Sequence, residues 1–394
     1  MTRPAAEVRT HLAALTGTDA ADWYVVFKAR YGMLETFSAL AATHPRRTVV
    51  TQLLTCSTAV DPILVAGMAP AYAEVSPASL AIDPDRLDVG ADTAAVVIQH
   101  TFGIIDGKRA QSIARAAREA GAAVCEDSSH CAGRMARDPE GLPLADVSFH
   151  SFGVEKMLPT KFGGAVWVNP AMADRPLRDA IVARLVALKA PGLRLRCAAR
   201  TYRYQLALLN RLPRGVAARL RPMLVESGIF TPAVAPSESE GRLAHGAFAA
   251  SPWVAARVAA ALVDLPAIEA NRTLAVAAYA DELGDLVEVP ALVSAGQPLA
   301  RFPFLAPPDI DADAVIGHLR AQGIVAGTWY RPALFPGAVD PEVYGYRQGD
   351  AAHAGTEDII ARIVNLPTNV GPERARQIAR QALAFIDSSR AART

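Results

Sequence analysis

Lys156 stands in the run Ser151-Phe152-Gly153-Val154-Glu155-Lys156, and the glycine-led apolar run Gly163-Gly164-Ala165-Val166-Trp167-Val168 follows it. Upstream, the apolar residues Ala123-Val124-Cys125 lead into Glu126-Asp127 and then Ser128-Ser129-His130. A lysine amine can form a Schiff base with an aldehyde. A carboxylate set against a pyridine nitrogen keeps that ring protonated and able to accept electrons. Together these groups are a protein's share of pyridoxal phosphate (PLP) chemistry, with Lys156 and Asp127 as the candidates. Lys161 is the rival lysine. The plainer reading is a surface lysine and an acid that caps a turn.

Elements able to position these residues are legible up to about residue 170. Strand-like runs occur at Trp23 to Phe27, Arg47 to Thr51, Ala94 to Gln99 and Ala122 to Cys125. Helix-like stretches alternate with them at Met33 to Ala42, Thr58 to Ala66 and Arg109 to Ala120, the last ended by Gly121. Such alternation predicts an α/β fold with a mostly parallel sheet covered by helices on both faces. Ligands then bind beyond the carboxyl ends of the strands, where His100 and Asp127 fall.

The chain has 394 residues, is 51% hydrophobic and carries a formal net charge of +1. That length suits a large two-part enzyme, and the composition argues against disorder and gives no reason to expect nucleic acid. The N-terminus is polar, without a signal-peptide core, and no apolar run approaches a membrane span of about 20 residues. Cys56, Cys125, Cys131 and Cys197 fit no zinc spacing, so no metal is expected, and they read as reduced thiols of a cytoplasmic protein.

Between Arg175 and Arg221 the chain holds 12 Lys or Arg against one acid, Asp179, with leucines interleaved. This predicts basic amphipathic helices broken at Pro191-Gly192 and Pro213. The commonest reading of such a run is a solvated face. The alternatives are contact with a substrate diphosphate or a peripheral contact with an anionic membrane through residues 175–221. Thr231 to Gly241 reads as an exposed loop. Beyond residue 250 come a long helical stretch from Val254 to Leu283, strand-like Leu286 to Val289, Arg301 to Leu305 and Gly327 to Tyr330, and helices after Asp311 and over Pro372 to Ile386. The expected division is a large part over 1–250, with the Arg-rich insertion at about 174–250, and a smaller α/β part over 251–394.

The order of these motifs resembles the DegT/StrS-type aminotransferases, fold type I PLP enzymes acting mostly on nucleotide-linked sugars. The similarity rests on Ala29 to Leu34, Leu54-Thr55-Cys56, Ala66 to Pro70 with Asp83-Pro84, and His100 to Gly103. The most specific pieces are Glu126 to His130 and Ser151 to Gly164. Gly323-Ile324, Trp329-Tyr330 and Asn365 to Thr368 complete it. The resemblance implies a seven-stranded type of sheet with a smaller C-terminal lobe. It makes Lys156 the Schiff-base lysine, Asp127 the partner of the pyridine nitrogen and His130 the neighbour of the ring hydroxyl. It places Ser151, Tyr31 and Gly32 on the cofactor phosphate and Cys56 against the ring. The family's Ser-Gly-Thr phosphate loop and its Gly-Tyr-Asn-Tyr-Arg stretch, which reaches the neighbouring subunit's cofactor, are absent here. His245 to Trp253 stands roughly in the latter's place.

The implied activity is amino transfer from an amino acid, glutamate or glutamine, to a keto sugar, by a homodimer with shared active sites. Two other readings stay open. One is a PLP enzyme of elimination, dehydration or amino-acid chemistry. The other is a non-catalytic regulatory or membrane-binding protein on the same fold.

Overall fold

The computed structural model describes residues 2–294 and 296–392. The chain opens with α1 (Arg3–Thr16), β1 (Trp23–Val26), α2 (Ala29–Thr43), β2 (Thr48–Gln52), α3 (Ser57–Val65) and β3 (Ala69–Ala73). Then come β4 (Thr93–Gln99), α4 (Gly107–Glu119), β5 (Ala123–Asp127), β6 (Val147–Ser151) and β7 (Gly164–Val168). These seven strands form one sheet in the order β1-β7-β6-β5-β4-β2-β3. β7 runs antiparallel to both neighbours, and the remaining pairs are parallel. The central strands β4, β6 and β7 are buried along their whole length and β5 at all but its first residue, as a sheet covered on both faces requires.

β3 was not anticipated. Its sequence, Ala-Pro-Ala-Tyr-Ala, lacks a branched apolar run, and Pro70 is tolerated because the strand lies at the sheet edge. Gly164 at the start of β7 and Gly32 within α2 let that helix lie close to the sheet. A side chain at Gly164 would bring its Cβ within 2.6 Å of the Ala29 nitrogen, and one at Gly32 would meet Val166 at 2.1 Å.

Three helices follow: α5 (Arg175–Ala187), α6 (Leu193–Arg211) and α7 (Arg214–Glu226). Their breaks fall at Gly192 and Pro213, as the sequence predicts. The long helix expected over Val254 to Leu283 is two helices, α8 (Pro252–Val263) and α9 (Leu265–Leu283). Pro266 in the first turn of α9 lacks an N–H and crowds the preceding turn, so the helix cannot run through. α8 packs with α1 through Val8, Leu12, Val254, Ala255 and Val258 in a core shared with Trp23 and Trp167.

The C-terminal part adds β8 (Arg301–Leu305), α10 (Ala312–Ala321), α11 (Ala354–Arg362), β9 (Ile363–Pro367) and α12 (Pro372–Ala391). β8 and β9 form a two-stranded antiparallel sheet. Asp311 caps α10 by accepting from the Asp313 N–H. Leu286 to Val289 and Gly327 to Tyr330 are not strands. Each touches the small sheet at one bridge only, Glu288 to Leu305 and Gly327 to Asn365. Among the described residues, no helix is long and apolar enough to cross a membrane, and no cluster of His, Cys, Asp or Glu could hold a metal.

Candidate active site

A cavity of about 290 Å³ opens at the carboxyl ends of β4, β5 and β6. It brings together Asp127, His130, Ser151, Lys156 and Cys56 from the sequence reading. Asp127 ends β5. Its Oδ1 accepts from the Ser129 N–H at 2.9 Å, and its carbonyl accepts from the His100 N–H at 3.1 Å. Ser151 ends β6, and its Oγ accepts from the Gly153 N–H at 3.3 Å. Cys56 precedes α3 and accepts from Thr58 Oγ1 at 3.0 Å.

Lys156 and His130 form the tightest contact of the site. Lys156 Nζ lies 2.8 Å from His130 Nε2, and Tyr330 Oη lies 3.0 Å from the same nitrogen. The Phe102 N–H donates to His130 Nδ1 at 3.0 Å, so Nδ1 carries a lone pair and no proton. Burial, and then the neighbouring Lys156 charge, push the His130 pKa well below its ordinary value, so the ring is neutral. A neutral ring with a bare Nδ1 carries its proton on Nε2 and must donate from there. Burial likewise lowers the Lys156 pKa, against the raising effects of Cys56 and Asp127. Burial thus favours the neutral, nucleophilic form of the amine more than water would. Trp329 stacks on His130 at 5.1 Å and 7°, and Lys156 Nζ lies 5.0 Å from the Trp329 ring centre. Lys161 also lines the cavity but makes no hydrogen bond or ion pair among the described residues.

His100 lines the cavity but is engaged beneath it. Its Nε2 lies 2.8 Å from the fully buried Glu126, which also accepts from Ser148 Oγ at 2.5 Å and the Ala136 N–H at 2.6 Å. Burial opposes the Glu126 charge, and these hydrogen bonds outweigh it and hold the pKa below the usual range.

Tyr31 and Gly32 do not line the cavity. The Tyr31 ring is fully buried, stacked on Phe27 at 6.4 Å with Phe248 edge-on at 6.1 Å. On α2 that ring packs into the core, and its buried hydroxyl has no hydrogen-bond partner among the described residues. Gly32 permits the close packing of α2 on β7 described above. The residues of this stretch that reach the cavity are Lys28, Ala29, Arg30 and Met33.

Lys28 went unnoticed in the sequence, where a single cation before a helix reads as surface. It is 8% exposed, bridges Gly163 in the backbone, and Gly163 and Gly164 neighbour Ser151 and Phe152. Its Nζ finds only the Pro232 carbonyl, at 3.5 Å, and burial lowers its pKa to about 8. Arg30 pairs with Glu238 at 2.5 Å and donates to the Ala233 carbonyl at 3.0 Å. This pairing corrects the expectation of an exposed loop. Thr231 to Val234 line the cavity and Glu238 is fully buried. Behind Glu238 the buried Asp61 accepts from Tyr344 Oη at 2.7 Å, and burial raises its pKa to about 8. Among the described residues, none of the arginines between Arg175 and Arg221 lines the cavity.

A family profile described as the DegT/DnrJ/EryC1/StrS aminotransferase family matches residues 25–221. The chain belongs to that family. This aminotransferase is accordingly a PLP enzyme of fold type I. No curated protein matches it in sequence. Among solved structures it is similar to Helicobacter pylori PseC, an aminotransferase of pseudoaminic acid biosynthesis, at TM-score 0.71 and 16% identity, covering 98% of this chain and 92% of that one. A putative sugar aminotransferase from Streptococcus pneumoniae in its PMP form gives 0.71 and 16%, covering 99% and 93%. DesI, solved with its TDP-sugar product, gives 0.69 and 20%, covering 100% and 88%. The residues of the aminotransferase's cavity fit PLP. A buried lysine amine, a carboxylate at a strand end and a second buried lysine, Lys28, whose Nζ reaches only a main-chain carbonyl by hydrogen bond among the described residues, line one space, matching an aldehyde, a pyridine nitrogen and a phosphate.

Proposed function

We propose that this aminotransferase moves an amino group from an amino acid, glutamate or glutamine, to a keto sugar carried on a nucleotide. The carrying observation is the buried Lys156 amine, 2.8 Å from His130 Nε2 in one cavity with Asp127. Family membership and the sugar substrates named for the similar structures support the substrate class.

In this reading Lys156 would hold the PLP aldehyde and Asp127 the pyridine nitrogen. Ser151, Lys28 and the first amides of α2 would hold the phosphate, and Cys56 would border the ring. Bound PLP supplies a protonated ring that stabilises negative charge on the substrate carbon. Once the donor's amine displaces it from the cofactor, Lys156 Nζ would be free to take a proton from that carbon and return it, since it is already positioned there. His130 Nε2 orients the amine, and Trp329 fixes the His130 ring. Arg30, through Glu238, keeps Thr231 to Val234 over the cavity and restricts water. The proposal includes a cytoplasmic homodimer, as family membership supports. It also includes the division near residue 250, with α8 packing back on the large part.

The test uses the PLP-loaded enzyme, glutamate and a nucleotide-linked keto sugar. An amine product and parallel-line kinetics are expected. Borohydride reduction followed by peptide mapping should fix the cofactor to Lys156. Lys156→Ala should lose the lysine-bound absorbance and turnover, and Lys161→Ala should keep both. Label on another lysine refutes the site, and an elimination product without amine transfer refutes the reaction.

A further inference from the structure

Between Asp179 and Glu226 the chain has ten basic residues and no acid. The fold sorts them. In α5, Arg178 pairs with Asp22 and Asp179, and Arg184 with Glu35. On α6 the apolar positions Leu195, Ala199, Tyr202 and Leu209 are buried, with Tyr202 stacked on Phe230 at 5.2 Å. That anchoring turns the opposite face outward. Arg196, Arg200, Arg203 and Arg211 are exposed there, and none forms an ion pair or side-chain hydrogen bond among the described residues.

The same face carries Leu193 at 68%, Tyr204 at 78% and Leu208 at 59% exposure, and α7 adds Val216 and Met223 at 50% and 64%. Large apolar side chains interleaved with unpaired cations cost solvation when left in water. Anionic phospholipid headgroups neutralise the cations, and the acyl boundary below them takes the apolar groups. A two-fold contact between copies would lay this face on itself and set arginine against arginine. Nucleic acid would meet the charge but leave the aliphatic residues uncovered.

We propose that the outer face of α6 and α7 docks the protein on an anionic phospholipid bilayer, with Leu193, Tyr204 and Leu208 at the acyl boundary. The inference does not rest on the aminotransferase reaction. Flotation of the full-length, PLP-loaded protein is compared on phosphatidylcholine vesicles and on vesicles of equal parts phosphatidylcholine and phosphatidylglycerol. Binding to the anionic vesicles alone, weakening with salt, is expected. Each basic side chain near such a surface is worth roughly 1 kcal/mol, about fivefold in affinity. The triple variant Arg196→Glu, Arg200→Glu, Arg203→Glu should therefore lose about a hundredfold or more at unchanged turnover, and the triple lysine variant should keep binding. Leu193→Ser with Leu208→Ser should weaken binding and leave its salt dependence. Absent or equal binding to both vesicles overturns the proposal. So does a reversal variant that changes only the sedimentation coefficient, which would make the face a subunit contact.

Discussion

Asp127 is held so that one carboxylate oxygen is committed and the cavity can use the rest. Oδ1 is fixed by the Ser129 N–H, and the backbone on either side is tied into β4 and the following turn. Asp127→Asn keeps shape and the backbone contact but removes the charge that favours a protonated pyridine nitrogen. The variant should fold with wild-type stability, bind PLP, and lose at least about a hundredfold in kcat, several kcal/mol of transition-state stabilisation. Single-turnover kinetics on the loaded variant measure this, and near-normal rates would remove Asp127 from that role. Asp127 stood out in the sequence because it ends an apolar run, and Lys156 because of its spacing to Asp127 and to Gly163-Gly164. Lys28 and Tyr31 were not. A hydroxyl or an ammonium in a sequence shows what a group can bond, and only packing decides where it points.

At the scale of elements, Gly164 governs how near α2 comes to the strand ends. An added Cβ would lie 2.6 Å from the Ala29 nitrogen and 3.0 Å from the His150 carbonyl, and neither is a side chain that can swing away. Gly164→Ala should cost about 1–3 kcal/mol in urea unfolding and weaken PLP more than pyridoxal, because α2 carries Lys28 away from Ser151. Equal losses for both ligands would contradict the phosphate assignment. The parallel core was legible because period and length separate its strands from its helices. The irregular pieces were not. Pro, Ser and Glu over 231–241 read as solvent-facing, yet Glu238 is drawn inside by Arg30, a partner over 200 residues away in the chain.

For the molecule as a whole, two buried groups shape stability against pH in opposite senses. Lys28 has a folded pKa of about 8, below its unfolded value of 10.5. The unfolded chain therefore binds that proton more tightly from about pH 8 to 10.5, and stability rises with pH across that window. Asp61 is raised from 3.8 to about 8, so its contribution is present at low pH and lost as pH climbs to about 8. Each effect is of the order of several kcal/mol. In urea unfolding of the PLP-free protein, Lys28→Met should remove the rise above pH 8 and be more stable than wild type at neutral pH. Asp61→Asn should flatten the fall below pH 8. A Lys28→Met profile parallel to wild type would show that the lysine is not held buried in the folded chain.

The proton on His130 is placed by a main-chain group, the N–H of Phe102, whose residue is fully buried at a φ of 57°. Every amino acid but proline carries that N–H. Point mutation at position 102 can loosen the turn, but only proline deletes the donor. The orientation of the His130 ring beside Lys156 is therefore inherited largely independently of side-chain identity there, and substrate preference can drift around the cavity while the setting of its lysine is kept.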